Sequence, residues 1–230
     1  MNLCFSKRTQ IFLSTFFFLF ATFILFPQIL FGKKNEGKPD YQTKYFRFYH
    51  SPEKAHEMAP YFERFRKEYY KLLPKWVRQA PQISIYFTQE KVFLSHNFQE
   101  VFQNCSSQEG AILESKKIIL SLKAPTWKIY QKGFHLLSHI YLGYSLGKNI
   151  PLWLNEGLAE FCGGSLVQNF QNLLAFGLPR YSYLLYLLKI RDRKGLPLIE
   201  DILELSYSRF FLKNFFLLHR SFSWLLVHYL

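Results

Sequence analysis

Two histidines four residues apart, His135 and His139, and two glutamates four residues apart, Glu156 and Glu160, fall within one largely apolar stretch, residues 134–164, FHLLSHIYLGYSLGKNIPLWLNEGLAEFCGG. On a helix, positions i and i+4 lie on one face one turn apart, so both imidazoles can reach a single metal ion. The spacing alone fits two core or surface histidines as well. The context adds to it: Phe134, Leu136, Leu137, Ile140, Tyr141 and Leu142 make the surrounding helix apolar nearly all round, so it should be buried. Buried imidazoles need partners. Gly147 suits a helix C-cap, and a second helical piece starts after Pro151. That piece carries Glu156 and Glu160 among Leu152, Trp153, Leu154, Leu158 and Phe161, and ends in Gly163-Gly164. Its carboxylates are either a solvated edge or buried groups that require a cation or a donor. No CxxC is present, so a thiolate zinc site is not indicated. Cys105 and Cys162 read as small buried apolar residues rather than as a disulfide.

The elements that must carry this stretch are legible as periods of two and of 3.6. YFRFY, residues 45–49, is a strand candidate with Phe46 and Phe48 on one face. Ser51-Pro52 is a helix start, a cap residue followed by proline at the first helical position. Met58, Phe62, Phe65, Tyr69 and Leu72 then recur at 4, 3, 4 and 3, a one-sided amphipathic helix in which Pro60 predicts a kink or a later start. Ile83, Ile85 and Phe87 alternate as in a half-buried strand, and Ile118, Leu120 and Leu122 do the same. After Pro125 the pattern turns helical. Strands first and helices afterwards predict an α+β domain rather than a βαβ array.

The 230 residues are room for one ordinary domain. A hydrophobic fraction of 49% excludes a disordered charged tail, and Gly 11, Pro 10 and Cys 3 exclude collagen-like and disulfide-dense scaffolds. The net charge of +13 is scattered along the chain, which suits proximity to anionic lipid rather than a nucleic-acid partner. Residues 9–32 carry no charge, and their core, IFLSTFFFLFATFILFPQILF, has the roughly 20 apolar residues that a spanning helix needs. Lys7 and Arg8 precede it, and it exceeds the roughly 7–15-residue core of a cleaved signal. These features predict an uncleaved signal anchor over residues 1–32, a polar linker over 33–40, and a folded domain over 41–230. The expected protein is a single-pass membrane protein, attached to the membrane by its N-terminal helix, with its domain outside the cytoplasm.

Residues 126–164 resemble the zincin metallopeptidases of the gluzincin type, and among them the peptidase MA-like group. In that family a helix with HExxH supplies two zinc ligands and a general base, and a following helix supplies a third ligand, a Glu. LWLNEGLAEF, residues 152–161, matches the second motif nearly letter for letter. The resemblance implies a fold of a small mixed sheet with an active-site helix and a glutamate helix, followed by a helical C-terminal part. It implies His135, His139 and Glu156 as zinc ligands, and Glu160 as the acid that receives an N–H from a ligand histidine and fixes its tautomer. It also implies that residues 117–122 form the edge strand along which a peptide lies. SFSWLLVHYL, residues 221–230, resembles the start of a helix that runs further in relatives, so a last piece of the domain is expected to be missing.

The departure from the family is at its HExxH, which reads His135-Leu136-Leu137-Ser138-His139. In that chemistry the Glu takes a proton from water acidified by zinc and delivers it to the leaving amine. Leu136 stands in its place and can do neither. The sequence therefore predicts a metallopeptidase-like domain with no catalytic base, retained for binding a peptide or protein. An active zinc hydrolase with an atypical base, and a structural membrane protein without metal, are the alternatives it leaves.

Overall fold

The alternation of Phe46 with Phe48, and of Ile83, Ile85 and Phe87, resolves into the middle of one five-stranded sheet. The computed structural model describes residues 37–74, 79–89, 110–114, 116–147, 149–168, 173–175, 177–212 and 214–230. The chain divides into two compact units, Met1–Pro39 and Asp40–Leu230, and all elements below belong to the second. Strands β1 (Tyr41–Gln42) and β2 (Phe46–Tyr49) are antiparallel. Helix α1 (Pro52–Lys71) then carries the chain to β3 (Ile83–Thr88), which runs parallel to β2. Strands β4 (Gly110–Glu114) and β5 (Lys117–Ser121) pair antiparallel, and β5 lies parallel to β3. The order is β1-β2-β3-β5-β4. In register, Phe48, Ile85, Ile118 and Ile112 form one buried row across four strands.

Two sequence expectations change here. β5 is interior rather than the edge strand, since β3 and β4 pair with its two sides; among the described residues β4 holds that edge. The β2-α1-β3 unit is a parallel crossover, so strands and helices are not strictly segregated, although the class remains α+β.

Helix α1 buries Met58, Phe62, Phe65 and Tyr69 as the 4-3-4-3 spacing requires. Leu72 falls at the C-cap and is half exposed. The helix starts at Pro52, as Ser51-Pro52 predicts, and runs through Pro60, so the later start that was one of the two outcomes expected at this proline does not occur. An interior proline costs one backbone hydrogen bond. Burial of Met58, Ala59, Tyr61 and Phe62 around it offsets that loss.

Helix α2 (Thr126–Leu146) packs across α1, with Phe134 stacked on Phe65 at a centroid separation of 4.5 Å. Helix α3 (Leu152–Gly163) follows. A short antiparallel pair, β6 (Leu166–Gln168) and β7 (Leu173–Ala175), interrupts the helical pattern expected after Pro125. The chain ends in α4 (Tyr181–Lys194), α5 (Ile199–Leu203), α6 (Tyr207–Phe210) and α7 (Phe216–Tyr229).

Helices α3 and α7 touch backbone to backbone at Gly157, where an added Cβ would stand 2.3 Å from the carbonyl oxygen of Ser223. Only glycine fits without moving a helix. Gly157→Ala is therefore expected to lower the denaturation midpoint by the equivalent of about 1–3 kcal/mol, the usual cost of overpacking. An unchanged midpoint would mean that α7 is not held against α3.

Among the described residues no helix is long and apolar enough to cross a membrane. The two long helices illustrate the reason. α1 carries Glu53, Lys54, Glu57, Glu63, Lys67 and Glu68, while α2 carries Lys128 and Lys132 and buries polar imidazoles. The expected fold class with an N-terminal transmembrane helix, and with it the single-pass membrane localisation, is corrected to a mixed α+β fold without such a helix among the described residues. The anchor expected over residues 1–32 lies outside them, as does Cys105. Cys162 is a free, buried thiol whose pKa is pushed up by burial.

Candidate metal centre

The 3.6-residue period of α2 turns His135 and His139 to one side, and the helix is buried on every side around them from Ile140 to Leu142 and from Gly133 to Leu137. Helix α3 starts after Pro151 and brings Glu156 and Glu160 to the same place, both with exposures of 2% or less. Such carboxylates cannot be a solvated edge. His139 Nε2 lies 3.2 Å from His135 Nε2 and 3.8 Å from Glu156 Oε1. One ligand atom from each of the three lies within 4.8 Å of the others. His135, His139 and Glu156 could thus hold a metal ion.

The surroundings decide which nitrogens face the gap. His139 Nδ1 is 2.9 Å from Asn155 Oδ1, so it donates there. His135 Nδ1 is 3.2 Å from Glu160 Oε1, an oxygen that can only accept. In His139 the proton therefore sits on Nδ1; the contact of His135 Nδ1 with an acceptor-only oxygen favours the same form, in which the two Nε2 lone pairs face each other. Two lone pairs at 3.2 Å repel unless a cation lies between them. Ligand atoms about 2.0–2.1 Å from a tetrahedral ion stand about 3.3–3.4 Å apart, close to the imidazole separation observed, with Glu156 slightly further out. Glu156 Oε2 is buried without a hydrogen-bond partner. This orphaned oxygen and the paired lone pairs fit a divalent cation.

The electrostatics agree. Burial holds the His135 imidazole well below its ordinary pKa, with Lys132, His139, Arg220 and Arg180 acting in the same direction. Burial takes His139 down to about 4, against the hydrogen bond to Asn155. Both rings are therefore neutral, the form that binds metal. Burial pushes Glu156 up to about 7, opposed by Arg220 and Lys132. The metal-free site thus contains a carboxylate that costs free energy to ionise.

Leu136 is fully buried within the hydrophobic core and brings no proton acceptor to the site. Glu160 has a hydrogen bond and an ion pair at Oε2 and ionic contacts at Oε1. Tyr183 donates its hydroxyl to Oε2 at 2.7 Å, Arg180 Nη1 lies 3.0 Å from Oε2, and Arg220 Nη2 contacts Oε1 beside His135. Sequence reasoning missed Asn155, Arg180, Tyr183 and Arg220. Asn155 lay inside the motif, one residue before the ligand, and could have been read as a partner for an imidazole. The other three are distant in sequence and carry no local pattern.

The fold and site define an α+β domain built around a buried two-histidine, one-carboxylate cluster. Compared with known proteins, the chain matches no family model, no curated protein and no solved structure.

Proposed function

We propose that this is a zincin-like domain that holds zinc through His135, His139 and Glu156, does not hydrolyse peptides, and is retained for binding a peptide or protein. The reading is carried by one observation: ligand atoms of three buried side chains converge, with Leu136 where the peptidases that the sequence resembles place their base. Two neutral imidazoles and one carboxylate are a donor set suited to zinc, with one position left open. When bound, zinc supplies Lewis acidity. The chain's own residues orient the ligands: Asn155 through His139, and Glu160 through His135. Strand β4 supports the binding role. It contacts α2 and, among the described residues, stands at the edge of the sheet, where an extended peptide can add as a further strand.

Metal analysis of the purified chain after zinc loading and desalting tests the reading. About one zinc per chain is expected, falling to background in His139→Ala and in Glu156→Ala. Zinc retained equally by the parent and both variants, or taken up by none of them, would overturn it.

A further inference from the structure

The Glu160 carboxylate is fully buried, yet four groups converge on it from three parts of the fold. His135 comes from α2 and Tyr183 from α4; Arg180 precedes α4 and Arg220 comes from α7. Both arginine side chains are about three-quarters buried. The glycine pair at the end of α3 makes room for one of them. A Cβ on Gly163 would stand 2.7 Å from Arg180 Nη2. Gly163 therefore does more than end a helix, since the guanidinium passes over it to reach Glu160.

We infer that Arg180 and Arg220 are positioning residues for the metal centre: by occupying Glu160 from two sides they hold it as an acceptor aimed at His135, which keeps the His135 proton on Nδ1 and Nε2 open toward the cluster. The contacts leave the carboxylate little freedom. Tyr183 donates to Oε2 and the Arg180 guanidinium pairs with the same oxygen, while the Arg220 guanidinium and His135 Nδ1 lie against Oε1. Guanidinium groups suit this task because they stay charged and remain planar. Their exchange for a neutral amide would let Glu160 rotate away and release the ring to exchange tautomers. The inference deepens the zinc reading and rests on it for its functional meaning, but the tautomer itself can be observed without metal.

The test is long-range proton–nitrogen NMR of the histidine rings in the metal-free, full-length chain, followed by zinc titration. In the parent, His135 is expected as the Nδ1–H tautomer. In Arg180→Gln/Arg220→Gln, a mixture with the Nε2–H form is expected, and zinc affinity should fall about 10–100-fold, as losses behind a ligand usually produce. Arg180→Lys/Arg220→Lys should recover part of both effects, because it restores charge without the planar fork. Should the double glutamine variant fail to fold, the single variants Arg180→Gln and Arg220→Gln each remove one side of the clamp and are expected to shift the same tautomer signal part of the way. An Nε2–H tautomer in the parent would overturn the inference. So would a folded double variant with unchanged tautomer and unchanged zinc affinity, since a merely structural role would lower stability alone. A parent that shows Nδ1–H but binds no zinc would retire the zinc reading and leave this clamp standing.

Discussion

Glu156→Gln is expected to stabilise the metal-free protein at about pH 8 by about 3 kcal/mol and to abolish its stabilisation by zinc. The first effect follows from burial. Glu156 is 2% exposed, its Oε2 has no hydrogen-bond partner, and its pKa is pushed up to about 7 from an ordinary 4.5. A carboxyl raised on folding destabilises the folded state wherever the unfolded state is ionised. Its cost is absent below about pH 4.5, grows as pH rises, and is complete above about pH 7, where it amounts to about 3 kcal/mol. Glutamine removes the charge and keeps the shape. His135 and His139 act in the opposite direction, losing stability as pH falls below 6.5, but they are common to both proteins and cancel in the difference. The second effect follows from ligand loss. Zinc at about 1,000 times its dissociation constant stabilises by about 4 kcal/mol, and a neutral amide forfeits that gain. Chemical denaturation from pH 4.5 to 8, with chelator or with zinc, measures both. A variant less stable than the parent at every pH would show that Glu156 is compensated by groups other than a metal.

The scaffold was legible where side chains repeat and illegible where pairing alone creates structure. Met58, Phe62, Phe65 and Tyr69 announced the buried face of α1 because each lies one helical turn from the next. Ile83, Ile85 and Phe87 announced β3 for the equivalent reason in a strand. Strand β1 has two residues, too few for any period, and exists because β2 supplies its hydrogen bonds. β4 was missed as well, and with it the edge of the sheet was given to β5. Pro60 does not delay the start of α1, because the helix gains burial on both sides of the proline.

The candidate metal cluster was legible because its three side chains, and Glu160 beside them, lie on two consecutive helices, each pair at a spacing of one turn. What surrounds Glu160 was not. Arg180 and Arg220 lie 20 and 60 residues beyond it, and nothing in a run of sequence says that two guanidiniums will meet one carboxylate. Gly163 illustrates the same limit. In sequence it reads as a helix terminator; its use as space for the Arg180 guanidinium is visible only once the chain has returned to it.

The unmodified protein, fully loaded with zinc, is expected to leave peptide substrates uncleaved. Amide hydrolysis needs a group that takes a proton from the attacking water and another transfer that delivers one to the leaving nitrogen. Such a positioned acid–base contributes about 10²–10⁴-fold in rate. Leu136 is hydrocarbon and fully buried, and Glu160, the carboxylate beside the candidate ligands, is surrounded by Tyr183, Arg180, Arg220 and His135. Ser138 is fully buried as well, and a serine hydroxyl is a poor base at neutral pH. The same burial fixes what Leu136→Glu does. In the metal-free chain it places an uncompensated carboxylate in a dry core, with an expected loss of about 3–5 kcal/mol. If position 136 lies beside the cation, zinc should stabilise Leu136→Glu by more than it stabilises the parent, because the new charge gains a counter-ion. Melting temperatures of the two proteins with and without zinc measure that difference, and equal shifts would place Leu136 away from the metal. For the peptidase question the parent alone is decisive. Chelator-sensitive cleavage of a peptide library by the unmodified protein, lost in His139→Ala, would overturn the inactive reading and require a base other than the residue at position 136.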